Sequence, residues 1–126
     1  MINLRSILIL LTILSITFSQ EFKELLPPEN LTGNFSGNRV KLEWQSPENW
    51  DSLNYNVFKA TVFDTSNIVV DNLEFQIIGN TKDTQIEEHY NNIENLSHLA
   101  FIYCVVARDT NDMESLRSNY FLINIK

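Results

Sequence analysis

An almost continuous apolar run near the C-terminal end, residues 101–107, constrains the fold more than any other feature of this sequence. It ends in a polar turn around Asp109, and a second, largely apolar run follows at residues 120–125. Both runs are short and rich in β-branched and aromatic residues, a composition that favours strands over a helix. They predict two neighbouring strands joined by a turn.

The N-terminal end of the chain has the composition of a secretory signal peptide. Arg5 supplies a positive charge, residues 7–16 are almost wholly apolar, and residues 17–19 place small side chains at the −3 and −1 positions before Gln20. A membrane anchor needs about 20 apolar residues, and this run is shorter. We predict a signal peptide over residues 1–19, with an uncleaved anchor as the alternative, and a secreted, periplasmic or cell-surface protein.

The predicted mature chain has 107 residues, which suits one domain with one core. Residues 20–28 form a short leader, long enough for one helical turn, that Pro27-Pro28 stops; residues 29–126 form the domain. Only Arg5 is lost with the signal peptide, so 8 basic and 16 acidic residues remain, a net charge of −8. Such a surface disfavours nucleic acid and anionic membranes as partners.

Short apolar or alternating runs, separated by turn-forming residues, recur along the rest of the chain. In residues 39–45, Val40, Leu42 and Trp44 share one face, which is typical of a half-buried antiparallel strand. Gly37-Asn38 before it predicts a tight turn with positive φ. The further predicted strands are residues 31–36, 54–63, 75–78, 84–86, 100–108 and 120–125, with a short return strand at 68–70.

Two connections complete this pattern. We expect Gly79-Asn80 to close the strand before it, and residues 87–95 to form a polar connection. Seven or more short strands without a long amphipathic helix argue for a β-sandwich. Cys104 is the single cysteine, so a disulfide within the chain is excluded and the residue is expected to act as a small hydrophobic side chain.

Several features, taken in order, give the chain a likeness to a known family. They are Asn30-Leu-Thr-Gly33 after a proline, Trp44 after two alternating apolar residues, Tyr55-Asn-Val-Phe58, the segment 75–81, and the hairpin from Val105 to Ser115. In this order they resemble a fibronectin type III domain of the bacterial extracellular type. The resemblance covers the predicted mature chain and implies an all-β, seven-stranded immunoglobulin-like β-sandwich.

The chain departs from the family pattern in three places. The family's corner tyrosine falls on Phe101, which lacks the hydroxyl that pins the preceding connection. Asn111-Asp112 replaces the usual glycine of the last turn, and both residue types tolerate a left-handed conformation. The segment 64–72 is longer than usual. The integrin-binding triplet and the paired Trp-Ser motif of some family members are missing.

Residues with catalytic or metal-binding chemistry are few. His89 lies beside Glu87 and Glu88, but neighbouring residues of one extended stretch cannot all point to one ligand. Asp109, Asp112 and Glu114 surround the last turn without the spacing of a known calcium loop, so a turn-stabilising role is favoured. We expect no enzyme activity, no cofactor and no metal site.

The strands 54–63, 100–108 and 120–125 show apolar residues on both faces. If the family core lies on the faces of Tyr55, Val57, Phe101 and Tyr103, the opposite residues form an outward apolar patch. Such patches mark interfaces. The candidate partner face is Phe58, Ala60, Val62, Ile102, Cys104, Val106, Tyr120 and Leu122. The alternative is that residues 22–26 or 64–72 cover it.

The sequence therefore favours a non-catalytic protein–protein interaction module. It would bind an unidentified protein through an edge strand or through the apolar face, with no stable membrane insertion after signal cleavage. The alternative is a carbohydrate-binding or accessory module of an extracellular glycan-processing system. That role needs exposed aromatic side chains as sugar platforms, and Trp50 alone is a poor supply of them because Trp44 is expected too deep in the core to help.

Overall fold

The computed structural model describes residues 24–47, 53–90 and 100–125. The predicted signal peptide, Trp50 and part of the predicted polar connection, residues 91–95, lie outside these residues. The strands, in chain order, are β1 (Glu29–Ser36), β2 (Arg39–Gln45), β3 (Asn54–Val62), β4 (Gln76–Thr81), β5 (Gln85–His89), β6 (Ala100–Arg108) and β7 (Phe121–Asn124).

The strands form two sheets in which every pairing is antiparallel. The three-stranded sheet has the order β1-β2-β5, and the four-stranded sheet has the order β4-β3-β6-β7. The longest pairing joins β3 to β6 from Asn54↔Arg108 to Val62↔Ala100. This arrangement confirms the predicted seven-stranded immunoglobulin-like sandwich.

The core lies between the two sheets, where alternate residues of each strand meet. Val40, Leu42 and Trp44 point inward from β2, as their alternation predicted. The four-stranded sheet contributes a second set of inward residues that matches the expected family core: Tyr55, Val57, Phe101, Tyr103, Val105, Ala107 and Ile123. Leu25 of the leader also joins this core, and residues 24–28 are not helical; the rest of the expected helical turn, residues 20–23, lies outside the described residues.

Three predicted boundaries are wrong. Residues 68–70 do not form the predicted return strand, and a 3₁₀ turn, Val70–Asn72, begins at the last of them. The strand predicted to end before Gly79-Asn80 continues through both residues. Gly79 lets the sheets approach closely here, since a Cβ atom would lie 2.5 Å from Ile86 Cδ1. Residues 87–89, predicted as part of a polar connection, belong to β5. Glu87 and His89 point to solvent, and Glu88 points inward and forms an ion pair.

The turn residues adopt the conformations that their types predicted. Gly37 has a φ of 63° and Asp112 a φ of 60°. In the last turn, the Asp109 carboxylate accepts hydrogen bonds from the backbone N–H groups of Asn111 and Met113, both at 2.9 Å. Asp112 pairs instead with Arg108 at 3.0 Å. These contacts stabilise the turn.

Phe101 lacks the hydroxyl of the family's corner tyrosine, and Tyr90, which follows β5, contacts its ring instead. The Tyr90 ring stacks on Phe101 with centroids 5.4 Å apart and planes inclined by 9°. The Tyr90 hydroxyl also lies 3.0 Å from that of Tyr103. Tyr90 directly follows β5, so this stacking holds the start of the β5–β6 connection against the four-stranded sheet.

Serine side chains extend the pairing between β6 and the β6–β7 connection. The Ser118 N–H donates to the Val105 carbonyl, and the Ser118 hydroxyl accepts from the Val105 N–H, both at 2.8 Å. Ser115 makes the same two bonds with Ala107, both at 2.9 Å. β7 itself pairs only as far as Tyr103, so these two serines satisfy the buried backbone of β6 beyond it.

Candidate interaction surface

The outer face of the four-stranded sheet is as apolar as predicted, but it is not open. Within the chain, Ile102, Cys104 and Val106 of β6 are buried, and so are Ala60 and Val62 of β3. The prediction that these five residues form an exposed partner face is therefore wrong. Its stated alternative holds for Val62 and Ile102, on which Ile68, Leu73 and Phe75 pack.

The cover is the connection between β3 and β4, residues 63–75, which we call the cover segment. Its half-buried side chains Ile68, Leu73 and Phe75 pack on a small cluster formed by Val62, Ala100 and Ile102. This cluster is separate from the main core between the sheets. The unusual length of the connection thus has a structural role: it shields the second apolar face of β3 and β6 from water.

Phe75 continues the cover toward β7. The Arg117 guanidinium lies over the Phe75 ring at 4.7 Å and donates to the Tyr120 hydroxyl at 3.2 Å. The Phe75 and Tyr120 rings also meet, with centroids 5.8 Å apart. Cys104 is fully buried on this side of the sheet. Burial raises the pKa of its thiol to about 11, and the nearby Arg117 charge offsets only part of that effect.

The remaining members of the predicted face stay at least partly open. Tyr120 is 42% exposed and Leu122 40% exposed, whereas Phe58 is half-buried. Ile77, which the sequence reasoning did not select, is 60% exposed and lies opposite Phe58 in the β3–β4 ladder. The exposed apolar surface of this sheet therefore lies along its two margins, β4 and β7.

β4 is an edge strand with no neighbour on its outer side among the described residues. Its sequence, from Gln76 to Thr81, contains no charged residue and no proline. Edge strands are usually guarded by charges, prolines or bulges, because their free N–H and C=O groups pair readily with another chain. Of these guards β4 has only a register shift between Val57 and Phe58 of its partner strand.

A charged cluster lies between the two sheets, behind β4. Lys59 on β3 forms an ion pair with Glu88 on β5 at 3.0 Å, and both side chains are only about one-fifth exposed. The ammonium also lies over the rings of Phe101, at 4.6 Å, and Tyr90, at 5.1 Å. Glu88 accepts further hydrogen bonds from the hydroxyls of Tyr90 and Tyr103. Burial raises the pKa of both tyrosines well above the usual range.

This cluster explains why neighbouring acidic residues of β5 do not converge on one ligand. Glu88 points inward to Lys59, whereas Glu87 and His89 point to solvent on the other face of the strand. Glu87 lies 3.6 Å from Arg39 and 3.7 Å from His89. Within the described residues, no group of three or more His, Cys, Asp or Glu side chains is arranged to hold a metal ion.

A groove of about 610 Å³ lies on the opposite side of the molecule, between the start of β1 and the β6–β7 connection. Pro27, Leu31 and Phe121 give it apolar walls, and Asn119 crosses it to bond the Leu31 backbone. Trp44 is buried, as expected, and Phe63 is the most exposed aromatic side chain of the described residues, at 80%. Among the residues that the structure describes, none of those lining the groove is a tryptophan platform for a sugar.

The comparisons with known proteins bear on the fold. No family model and no curated protein sequence matches the chain. Solved structures do match. An Fn3-like protein from Clostridium thermocellum is 19% identical with a TM-score of 0.53, over 79% of this chain and 92% of that one. The fibronectin type III domain of human fibronectin type III domain containing protein 3 is 12% identical, with a TM-score of 0.54 over 81% and 86%.

The fold is fibronectin type III-like. Strand order, sheet composition and these neighbours agree on it. The fibronectin type III-like fold also occurs inside larger enzymes. A β-1,2-glucanase from Parabacteroides distasonis matches with a TM-score of 0.57 and 15% identity, over 79% of this chain but only 12% of the enzyme. At these identities the likeness extends to the fold alone.

In the described part of this fibronectin type III-like chain, no helix is long and apolar enough to cross a membrane. The sequence reasoning selected the correct sheet face and left open whether residues 22–26 or 64–72 cover it. The sequence reasoning did not select Ile77 because it assigned no inward or outward side to the strand predicted at residues 75–78. Arg117 was missed because its position over Phe75 depends on a contact between residues 42 positions apart in sequence.

Proposed function

We propose that this protein is an exported, non-catalytic module that binds another protein through the open edge of β4. The observation that carries the proposal is the uncharged edge strand beside an exposed Ile77. The apolar face, the other binding mode considered from the sequence, is covered in the folded chain. The β4 edge, with its backbone groups unpaired among the described residues and Ile77 exposed beside it, remains open.

The chemistry of β4 defines what would fit there. A partner segment in an extended conformation would use the free N–H and C=O groups of β4 to add a fifth strand to the four-stranded sheet. Backbone pairing supplies affinity, and alternate side chains supply specificity. One side of the added strand would place an apolar side chain next to Ile77 and Phe58, which face the same side of the ladder.

A defined substitution pair tests this mode. The purified domain, immobilised, captures partners from the extracellular fraction of the source organism, and the retained proteins are identified by mass spectrometry. Ile77→Lys adds a charge at the edge, the device that natural edge strands use against pairing. Asn34→Lys makes a matched change on the exposed, polar outer side of β1.

The expected result is a prey that the wild-type domain and Asn34→Lys retain and Ile77→Lys loses. Equal retention by all three proteins would contradict the β4 site. Circular dichroism and thermal melting of each variant establish that the domain is folded in every arm. A double substitution, Ile77→Lys with Asn80→Lys, strengthens the same test because both side chains lie on the outer side of β4.

Export is the second part of the proposal. The sequence of residues 1–19 supports it, and the mature protein is expected to begin at Gln20. N-terminal sequencing of the protein from its natural source tests this directly. A mature chain that begins at Met1 and remains in the cytoplasmic fraction would contradict export.

A glycan-associated role is the second candidate, and the occurrence of the same fold within a β-1,2-glucanase supports it. Retention of the domain on insoluble or immobilised polysaccharide, at an affinity that Ile77→Lys does not change, would favour this role over protein binding. The groove beside Asn119 would then be the surface to examine first.

A further inference from the structure

The cover segment is attached to the sheet in a different way from the strands. Between positions 64 and 74, its hydrogen bonds in the described structure run to residues of the same segment. The Leu73 N–H donates to the Val70 carbonyl at 3.1 Å and the Asn72 N–H to the Val69 carbonyl at 3.0 Å. At the other end, the Asp64 carboxylate accepts from the Ser66 N–H at 3.0 Å.

The contacts between the cover segment and the sheet are made by side chains. Ile68, Leu73 and Phe75 make the apolar contacts, and each of them is only half-buried. No residue from 63 to 75 is fully buried, whereas the strand residues below it are among the most buried in the chain. The stacking of Phe75 against Arg117 and Tyr120 adds the last contact.

Segments with few buried apolar contacts and exposed backbone open at a small fraction of the free energy of global unfolding. β3 and β6 differ in this respect, since they are paired over nine residues and lie in the centre of the sheet. We infer that the cover segment opens as a unit while the seven strands stay folded, and that opening uncovers the apolar cluster of Val62, Ala100 and Ile102.

The uncovered face has the character of an interaction surface. Ala60, Val62, Ile102, Cys104 and Val106 form a continuous strip across β3 and β6. Exposed apolar strips of this kind bind partners or cause aggregation, and a cover that closes in the absence of a partner prevents the second outcome. Use of the face by a partner rests on the proposed function; the opening itself does not.

The occupant that fits the uncovered strip is an apolar segment of the protein partner, which takes the places of Leu73 and Phe75. Bound in this way, a partner holds the cover open by its differential affinity for the open state. A partner strand on β4 would lie beside the same face, since β4 begins directly after Phe75. The two contacts would then belong to one continuous interface.

A single thiol placed under the cover provides a direct test: Ile102→Cys in a Cys104→Ala background puts it in the cluster on which Ile68, Leu73 and Phe75 pack. This domain is mixed with a thiol reagent such as dithionitrobenzoate, and the labelling rate is followed from 0 M urea to the unfolding transition. If the cover opens, the thiol is expected to be labelled at least about 100-fold faster than the rate set by global unfolding. Opening also predicts a rate nearly independent of urea below the transition, because a local opening exposes little surface.

Two matched truncations complete the experiment. Phe75→Ala is expected to raise the labelling rate at 0 M urea by about tenfold or more, since it removes the contacts with Arg117 and Tyr120. Ile86→Ala truncates a half-buried side chain of the other sheet. It is expected to lower global stability and to leave labelling at 0 M urea unchanged.

Labelling of all three proteins with the free energy and urea dependence of global unfolding would overturn the inference. This outcome is separate from the fate of the proposed function. Capture of a prey that Ile77→Lys loses, combined with globally limited labelling, would leave the β4 site standing and remove the cover mechanism. Rapid labelling without any captured prey would establish the opening and remove the proposed partner.

Discussion

Asn119 holds the backbone of Leu31 with both polar groups of its side chain. Its carbonyl oxygen accepts from the Leu31 N–H at 2.9 Å, and its amide donates to the Leu31 carbonyl at 3.0 Å. The two residues are 88 positions apart and belong to opposite sides of the sandwich: Leu31 lies on β1 and Asn119 lies two residues before the edge strand β7. A side-chain amide thus imitates the pairing of a neighbouring strand and ties the two sheets together at one edge.

Removal of this amide is expected to weaken the domain. In Asn119→Ala, the backbone N–H and C=O of Leu31, a fully buried residue, lose their partner, which costs about 1–3 kcal/mol. Urea unfolding followed by tryptophan fluorescence measures the change. Asn34→Ala on the exposed side of β1 is the control and is expected to stay within about 0.5 kcal/mol of the wild type. Equal stability of Asn119→Ala and the wild type would contradict the role of the amide.

The two serines that bond the β6 backbone, Ser115 and Ser118 of the β6–β7 connection, give a second prediction. Ser118→Ala leaves the buried Val105 N–H without its acceptor, and we expect a loss of about 1–3 kcal/mol in the free energy of unfolding. Ser115→Ala at Ala107 is expected to behave alike. Ser36→Ala, at an exposed end of β1, serves as the matched change. If Ser118→Ala and Ser36→Ala unfold at the same urea concentration, the side-chain bonds do not stabilise this part of the sheet.

Two strand glycines are expected to differ in their tolerance of alanine. At Gly33 a Cβ atom would lie 2.9 Å from the Lys41 carbonyl oxygen and 2.7 Å from Leu42 Cδ2, and the backbone oxygen cannot move alone. Gly33→Ala should therefore cost about 1–3 kcal/mol, the usual penalty of overpacking. At Gly79 the close atom is the end of the Ile86 side chain, which can rotate away. Thermal melting that ranks Gly79→Ala below Gly33→Ala in stability would contradict this reading.

The thiol of Cys104 makes stability depend on alkaline pH. Burial raises its pKa from 9.0 to about 11, so the contribution of the neutral thiol is complete below pH 9. It is lost as the pH rises toward 11, because the unfolded chain then releases the proton more readily. We expect the wild type to lose about 2 kcal/mol more than Cys104→Ala between pH 8 and pH 10.5. Both proteins keep Tyr90 and Tyr103, so the difference between their urea curves isolates the thiol; parallel losses would contradict its burial.

Much of the fold could be predicted because it follows from local pattern. The alternation of Val40, Leu42 and Trp44 defined the buried face of β2, and Gly37 and Asp112 were correctly placed at positive φ. The family resemblance supplied the inward face of β6. These features depend on residues close in sequence, or on periodicity, and both are readable without tertiary contacts.

The sequence could not decide between an open and a covered outer sheet face, because the answer depends on where a long connection packs. In the sequence, Phe75 begins a predicted strand and Leu73 leads into it. In the structure, Leu73 packs on the cluster that contains Ile102, and Phe75 contacts Arg117, both far away in sequence. The ion pair between Lys59 and Glu88 was missed for the same reason. A charged residue in an alternating strand is expected in solvent, and only the opposite sheet supplied Glu88 as a partner.

Amide hydrogen exchange of the domain, with and without its captured partner, tests the proposed interaction most directly. The expected result is that the partner slows exchange of the backbone N–H groups of β4, residues 76–81. Exchange in the cover segment, residues 63–75, is expected to become faster, or the partner slows exchange in β6 instead. The polar outer face around Lys41 and Glu43 is expected to exchange unchanged. Protection confined to that polar face or to the groove at Leu31 and Asn119, with β4 unaffected, would contradict the account.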